Sequence, residues 1–389
     1  MLETMTELRW TTAGESHGKA LVGVLEGMPA GLELDVERVD RELARRQGGY
    51  GRSARQKIET DRLELISGTR AGRTLGSPIA FTLVNRDHSI ERLEVPTMAR
   101  PGHADLAGCQ KLTAADPRAV LERASARETA ARVALGGIAR QVLERFGVEI
   151  FAHVVELGGE AVAPDAWARA GAERGALRDA SEFHSLDPEA DGRFRARVDE
   201  ARRAHDTLGG VFEVVALGLP PGLGGYATAA ERLTGRLGGA LLSIPAMKGV
   251  EFGLGFEAAR QPGSSVHDAI VATGDAGEAT PFGRFGRETH RSGGLEGGMT
   301  TGGPLQVRVA MKPIPTLPKG LPSVDFASGE AVRATYQRSD VTSVPAASVV
   351  GEAVCALELA AAFLAKFGGD AIEHVEDAFE AWRTRARSL

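Results

Sequence analysis

Cysteine is nearly absent from this chain: Cys109 and Cys355 are the only two. Two thiols cannot make a disulfide framework or a zinc site, and they fit free thiols in a reducing, cytoplasmic setting. Aromatic residues are scarce at 5%, which leaves no stacking platform for single-stranded nucleic acid. Excess positive charge is missing too. The net charge of -6 argues against non-specific binding to nucleic acid. No apolar run reaches membrane-spanning length without a charge or a glycine to interrupt it. The segment Met1 to Glu7 is acidic and has no apolar stretch, so it does not read as a signal peptide. Neither a membrane nor a nucleic-acid partner is expected. Metal binding has no support either, since no His-x-x-x-His or clustered carboxylate pattern occurs. Walker-type loops are absent, and no G-x-G-x-x-G falls between a strand and a helix.

Glycine, by contrast, is abundant at 49 residues, which implies many tight turns and close backbone approaches. The chain of 389 residues is long enough for an ample core. Its most informative stretch runs from Leu121 to Val133. Ser125 followed by Glu128 is a capping box, and apolar residues from Ala131 to Leu143 carry a helical period to Phe146, with Gly147 as the stop. Arg123 and Arg127 flank a helix start whose N–H groups and dipole favour an anion. The alternative is one longer helix starting at Asp116-Pro117, with both arginines facing water.

In chain order, strands are expected over Leu8–Thr12, Ala20–Leu25, Lys57–Ser67, Pro78–Val84, Val148–Leu157, Lys248–Phe256 and Leu305–Met311. Helices are expected over Glu37–Arg46, Ala346–Phe367 and Ala371–Arg385. Ala163 to His205 reads as a peripheral helical or irregular insertion, and residues 257–291 read as irregular. An internal repeat is visible. Gly18 to Leu32 aligns without a gap on Gly209 to Leu223, pairing Gly18 with Gly209, Gly27 with Gly218, Pro29 with Pro220, Gly31 with Gly222 and Leu32 with Leu223. A strand, glycine and proline turn could recur by chance. Duplication instead predicts one domain over 1–389, with related halves beginning near 8 and near 207, each a sheet with a helix layer.

Two polar loops carry histidines. His17 sits in Ala13-Gly-Glu-Ser-His-Gly18 with Glu15 nearby, and His103 in Arg100-Pro-Gly-His-Ala-Asp105 with Asp105 nearby. A carboxylate neighbour is how a histidine is oriented for proton transfer. Asp340 beside Arg338 reads as a general base or as a surface ion pair. The loop Gly293–Gly303 could press backbone against a flat or phosphorylated ligand, or be a set of turns. Together these residues suggest an enzyme for a small polyanion, met by Arg46, Arg52, Arg123, Arg127 and Lys312. Composition and spacing do not name the reaction.

The motifs Ala-Gly-Glu-Ser-His-Gly (13–18), Arg-Pro-Gly-His-Ala-Asp (100–105), Glu-Arg-Ala-Ser-Ala-Arg-Glu-Thr (122–129), Gly-Gly-Leu-Glu-Gly-Gly-Met-Thr (293–300), Lys-Pro-Ile-Pro-Thr (312–316) and Arg-Ser-Asp-Val (338–341), in this order and over nearly the whole chain, closely resemble the chorismate synthase family. The resemblance implies an α+β fold, a β-α-β sandwich with internal duplication, usually assembled as a homotetramer. It implies the anti 1,4-elimination of phosphate and a ring proton from 5-enolpyruvylshikimate 3-phosphate, giving chorismate in the shikimate pathway. The cofactor implied is reduced FMN (FMNH2), used without net redox change. With no reductase segment visible, the flavin would be reduced by an external flavin reductase, and NADPH would enter only as its electron source.

By the same resemblance, His103 would serve the reduced flavin as proton donor and His17 would assist the departing phosphate. Asp340 would remove the ring proton through flavin N5, and Ser16 and Ser125 would support the hydrogen-bond network. Flavin-binding positions would be Arg123, Ala124, Ser125, Pro245, Ala246, Gly297, Lys312, Pro313, Ile314, Pro315, Thr316 and Arg338. Arg46 and Arg52 would meet anionic groups of cofactor or substrate. Three places depart from the family's usual pattern: His88, Cys109 to Ala114, and Leu254. Other readings of the same residues are a non-catalytic protein that binds flavin or a phosphorylated metabolite, and a flavin-free phosphate lyase.

Overall fold

The computed structural model describes residues 7–52, 60–272, 282–334 and 340–387. Strand β1 (Arg9–Ala13) turns into β2 (Ala20–Glu26), and helix α1 (Val36–Gln47) follows. Next come β3 (Glu64–Ser67), the hairpin β4 (Thr69–Arg70) and β5 (Arg73–Thr74), and β6 (Ile79–Val84). The short helices α2 (Asp105–Leu112) and α3 (Arg118–Leu121) lead to the long α4 (Thr129–Arg145). The chain continues through β7 (Glu149–Leu157), β8 (Glu160–Ala161), α5 (Ala166–Ala170), α6 (Arg174–Ala180), α7 (Pro188–Arg203), β9 (Gly210–Leu217), α8 (Leu233–Leu242) and β10 (Met247–Phe252). After α9 (Gly263–Val266), β11 (Ile270–Ala272) and β12 (Phe285–Arg287), the hairpin β13 (Leu295–Glu296) and β14 (Met299–Thr300) precedes β15 (Leu305–Met311). The hairpin β16 (Leu321–Val324) and β17 (Ala331–Ala334) is followed by α10 (Val344–Phe367) and α11 (Ile372–Ala386).

Two antiparallel sheets form, ordered β1-β2-β6-β3 and β10-β15-β9-β7-β8. Burial alternates along β2, β6 and β15, so each sheet turns one face inward. Between them lies a helical layer. α4 packs on β2, α10 packs on β7 and β9, α4 and α10 pack on each other, and α1 and α8 flank them. The result is a β-α-β sandwich of the α+β class. α10 is the one helix among the described residues long and apolar enough to cross a membrane, and 89% of its apolar window is buried here. A helix apolar all round is what the middle of such a sandwich requires. Two glycines set the spacing of that layer. A Cβ on Gly136 of α4 would stand 2.3 Å from the Ala353 carbonyl oxygen, and one on Gly351 would stand 2.3 Å from the Phe212 ring.

The repeated segments share bonds as well as letters. Leu32 N–H donates to Thr74 Oγ1 at 3.0 Å, and that hydroxyl donates to the Pro29 carbonyl at 2.6 Å. Leu223 N–H donates to Thr300 Oγ1 at 2.8 Å, and that hydroxyl donates to the Pro220 carbonyl at 2.6 Å. Gly31 N–H reaches the Thr74 carbonyl and Gly222 N–H the Thr300 carbonyl. A threonine thus latches each proline turn to a neighbouring hairpin. The first turn is also stitched to the start of α11, since Ala30 N–H donates to the Asp370 carbonyl at 2.9 Å and Ile372 N–H to the Ala30 carbonyl at 2.8 Å.

Local expectations need three corrections. The capping box does not close. Ser125 Oγ accepts Arg127 N–H at 3.3 Å and caps a short 3-10 turn, while Glu128 turns to Arg132 Nε at 3.0 Å and Thr12 Oγ1 at 2.6 Å. The guanidinium outcompetes the Ser125 amide for that carboxylate. The strand expected over Lys57–Ser67 is ordered as β3 only from Glu64, and residues 57–59 lie outside the described residues. The insertion after Ala163 is not merely peripheral: Phe183, Phe194 and Val198 are fully buried in the main core.

Glu352 of α10 is the buried charge that joins the layers. It is 2% exposed and takes Arg45 of α1 at 2.8 Å, Arg140 of α4, Arg178 at 3.7 Å and the Ala152 N–H of β7 at 3.0 Å. Burial alone would raise its pKa, but Arg45, Arg140 and Arg178 hold it down at about 2. Burial, and then the Glu352 charge, push the nearby Glu42 carboxyl up. Glu352→Gln would leave buried guanidinium groups uncompensated, a loss of about 3–5 kcal/mol at neutral pH. A depressed folded-state pKa stabilises above the ordinary carboxylate range and loses that effect as pH falls through the folded value. The stability gap between wild type and Glu352→Gln should therefore narrow from about pH 4.5 downwards, as read by urea unfolding at a series of pH values. Gly136→Ala should lower stability by about 1–3 kcal/mol through overpacking, visible as a lower thermal midpoint.

Candidate active site

A cavity of about 220 Å³ opens where α1, the Ser125 turn, the Pro245 turn and the start of α10 meet. Its polar wall holds Ser16, Arg46, Arg52, Ser125, Arg127 and Asp340, and its apolar wall includes Ile244, Met247, Met311 and Val350. Residues from both halves of the chain therefore build one site.

Its cations are held from behind. α1 carries Arg46 in its last turn, where Nε donates to Thr129 Oγ1 at 3.0 Å and Nη2 to the Ala126 carbonyl at 2.8 Å. Arg127 reaches the buried Asp61 at 2.6 Å and Asn85 Oδ1 at 2.9 Å. Arg127 does not face water, which removes the surface-arginine reading for that residue. Burial lowers the Arg46 pKa to about 10, with Asp61 opposing the shift and Arg52 and Arg127 adding to it. Three guanidinium groups in one partly dry space favour an anionic ligand.

Arg52 is also desolvated. Burial lowers its pKa and Asp340 opposes the shift. Its Nη1 lies 3.2 Å from Asp340 Oδ2 and donates to Ser343 Oγ at 2.8 Å, and Ser343 Oγ donates to Asp340 Oδ2 at 3.3 Å. Its Nε is buried and has no hydrogen-bond partner among the described residues. A buried donor without a partner costs roughly 1–3 kcal/mol, so an acceptor oxygen in the cavity would relieve it. The donor set and the apolar wall together fit a flat ring with an anionic tail.

Ser16 and Ser125 meet across the cavity wall with their hydroxyls 3.3 Å apart. His17, the next residue, is oriented by Glu122 and not by Glu15. Its Nδ1 lies 2.8 Å from Glu122 Oε2, while the Glu15 carbonyl accepts from Asn85 Nδ2 at 3.1 Å. The α3 turn brings Glu122 back under the loop, a contact that sequence spacing could not reveal. His103 does find Asp105, with Nδ1 2.5 Å from Oδ1. Its loop does not line the cavity. It is tied to the segment after Met311 by Lys312 Nζ donating to the Gly102 carbonyl, and by Arg100 Nη1 donating to Thr316 Oγ1 at 3.3 Å. Pro315 Cβ lies 3.4 Å from where a Gly102 Cβ would stand, and the Ile314 carbonyl accepts Thr207 Oγ1 at 2.8 Å. Pro313 runs against Gly209. The 312–316 segment thus joins the His103 loop to the second sheet.

Among the other expected ligand residues, Arg123, Ala124, Ala246 and Gly297 do not line the cavity. Arg123 is pinned to the Thr12 carbonyl at 2.8 Å and the Gly14 carbonyl at 3.1 Å. Ala124 N–H bonds the Val120 carbonyl at 2.9 Å. Pro245 lines the cavity, while Ala246, at a positive φ of 73°, accepts Lys312 N–H. Gly297 sits at the tip of the β13–β14 hairpin with φ 59°, where the turn itself calls for glycine. Arg338 lies outside the described residues. Nothing local in the sequence sets Ser343 and Asp61 apart, and Thr129 closes the 122–129 motif without a sign there that it holds Arg46. Among the described residues no group of three or more His, Cys, Asp or Glu is placed to hold a metal ion.

The chorismate synthase family profile matches residues 8–364. A chorismate synthase of Rubrobacter xylanophilus is 51% identical over 387 residues, covering 97% of this chain and 96% of the relative. One of Syntrophotalea carbinolica is 50% identical over 391 residues, covering 97% and 98%. A crystal structure of a chorismate synthase superposes with a TM-score of 0.80 at 42% identity, covering 99% of this chain and all of that one.

The cavity should take a small polyanion. Inorganic pyrophosphate is expected to raise the thermal midpoint of the wild type by mass action. Arg52→Ala should abolish or at least halve that gain, as read by calorimetry.

Proposed function

We propose, from the premise that the chain belongs to the chorismate synthase family, that the cavity is where 5-enolpyruvylshikimate 3-phosphate loses phosphate beside reduced FMN. The chain is a lyase of the shikimate pathway. The observation that carries the placement is the convergence of Arg46, Arg52, Arg127, Ser16, Ser125 and Asp340 on one partly apolar cavity.

A multiply charged substrate beside an anionic flavin needs fixed cations. Arg46 and Arg127 are held in place before any ligand arrives, so little reorganisation accompanies the reaction. Arg52, with its unsatisfied Nε, takes an anionic oxygen of substrate or cofactor. The residues that would hold the flavin ring are Ile244, Pro245, Met247 and Met311 on the apolar side. The chemistry a bound reduced flavin supplies is transient electron density for the ring as the C–O bond breaks.

His17 gives its proton toward the departing phosphate, and the Ser16–Ser125 pair keeps the loop in register with the cavity. Asp340, oriented by Arg52 and Ser343, accepts the ring proton. His103 holds a proton for the cofactor from its loop beside Lys312–Thr316. Water exclusion counts for more than a strong base, because charge separation at an allylic phosphate is slow in water. The active form is a homotetramer in the cytoplasm, and reduced flavin comes from an external flavin reductase that draws on NADPH.

The test is an anaerobic assay of 5-enolpyruvylshikimate 3-phosphate with and without chemically reduced FMN. Chorismate should form only with the reduced flavin, and folded protein that makes none would overturn the proposal. His17→Ala and His103→Ala should each lower turnover by about two orders of magnitude or more, measured by chorismate absorbance.

A further inference from the structure

Both loop histidines are held by the same three-part device. At His17, one oxygen of Glu122 lies 2.8 Å from Nδ1 and also accepts the His17 backbone N–H at 3.0 Å. The other oxygen of Glu122 accepts Arg118 Nη1 at 3.0 Å. At His103, Asp105 Oδ1 lies 2.5 Å from Nδ1. Asp105 accepts Arg100 Nε at 2.7 Å and Arg100 N–H at 3.0 Å on Oδ2, and Arg100 Nη2 at 3.0 Å on Oδ1. Both carboxylates are almost sealed, at 2% exposure for Glu122 and 1% for Asp105. The two assemblies come from different loops, share no residue, and use partners at different sequence distances. His17 meets a residue 105 positions away, and His103 meets one two positions away.

We propose that Glu122 and Asp105, each clamped by an arginine, are positioning residues that fix His17 and His103 as Nδ1–H tautomers, so that each moves its proton at Nε2. This rests on the reading of the histidines as proton-transfer groups given above. The physical argument is one of donor and acceptor count. An ionised carboxylate has only acceptors. With arginine N–H groups on its other acceptor positions, the oxygen that faces Nδ1 can meet it at these distances only if a proton lies between them. A bare Nδ1 lone pair against an anionic oxygen would be repelled. Arg100 Nη2 also lies 3.1 Å from His103 Nδ1, but the carboxylate is nearer and decides the tautomer. At His17 the other ring edge faces a second carboxylate, Asp87 Oδ2, at 3.9 Å, beyond direct hydrogen-bond reach. Glu122 is therefore the group that sets the Nδ1 side.

An amide in place of Glu122 can accept on one side only. It must lose either Arg118 or the His17 edge, and its NH2 group can then donate to Nδ1 and stabilise the wrong tautomer. This is the logic by which an amide in place of a triad aspartate disables a histidine base without moving it.

The experiment is nitrogen-15 NMR of the histidine rings in the full-length protein, combined with turnover. In the wild type, the neutral forms of His17 and His103 should carry the proton on Nδ1. Nε2–H in both would overturn the proposal whatever the variants do. Glu122→Gln should shift His17 toward Nε2–H and lower kcat by about tenfold or more, within the roughly 10²–10⁴ attributed to the histidine itself. Asp105→Asn should do the same to His103 alone. Affinity for FMN should change little, the thermal midpoint should fall in both amide variants because Arg118 and Arg100 lose a buried counter-charge, and Glu122→Asp should restore the Nδ1–H signal and part of the rate. An unchanged tautomer and rate in folded Glu122→Gln and Asp105→Asn sinks the positioning role while leaving the losses in His17→Ala and His103→Ala intact. Near-wild-type turnover in those alanine variants would instead sink the proton-transfer reading, with the wild-type tautomers still deciding this one.

Discussion

The buried carboxylate of Glu352 is the interaction on which the arrangement of the site depends. It sits inside the helical layer and binds guanidinium groups from α1, α4 and the stretch after β8. Arg45, one of those partners, is the neighbour of Arg46. A helix residue that anchors inward therefore fixes the direction of the next one, which faces the cavity. The same α10 that carries Glu352 brings Ala346, Ala347 and Val350 to the cavity wall. A charge buried in a layer otherwise filled with alanine, valine and leucine tolerates few alternative packings, because it must meet several guanidinium groups at once.

Around the cavity the same rule is applied with the opposite outcome. Arg46 and Arg127 have partners on their inward sides, Thr129 and Asp61, yet the local charge still favours an anion. Arg52 is shared with Asp340 and keeps an unsatisfied Nε. A site of this kind is prepared for a ligand that completes its hydrogen bonding. Cations held against one another by burial gain more from an anion than solvated cations would. The chain achieves this with a net negative charge, so the attraction is local and not a property of the whole surface.

Much of the frame was legible in the sequence because its periodicities are strong. Strand alternation located β2, β6 and β15, and the helical period located α4 and α10 within a few residues. The proline turns around Pro29 and Pro220 were legible as a repeat, although the threonines that latch them were not, since Thr74 and Thr300 lie on distant hairpins. At the site, the residues legible by motif were those on short polar loops: Ser16, His17, His103, Ser125. The partners that give them direction were hidden. Glu122 opens the 122–129 motif, but nothing in the motif marks it as the partner of His17, and Asp61 and Ser343 have no periodic or motif context. Glu15 was the nearer carboxylate to His17 in sequence, but the tight loop at Gly18 sends its carbonyl toward Asn85. Sequence neighbourhood predicts contacts well inside helices and strands and poorly across a loop that reverses direction. Gly297 shows how two demands look alike, because a glycine that a hairpin turn needs reads the same in a sequence as one that a ligand needs.

The stitch between Ala30 and the Asp370–Ile372 segment carries a lesson about synthesis on the ribosome. The first proline turn exchanges backbone bonds with residues made some hundreds of positions later, and α10, which fills the middle of the sandwich, also emerges late. The first sheet meets its cover early, because α4 packs on β2, whereas the second sheet waits for α10 to pack on β7 and β9. The fold must close after most of the polypeptide has left the exit tunnel, and until then β7 and β9 lack the helix they pack against.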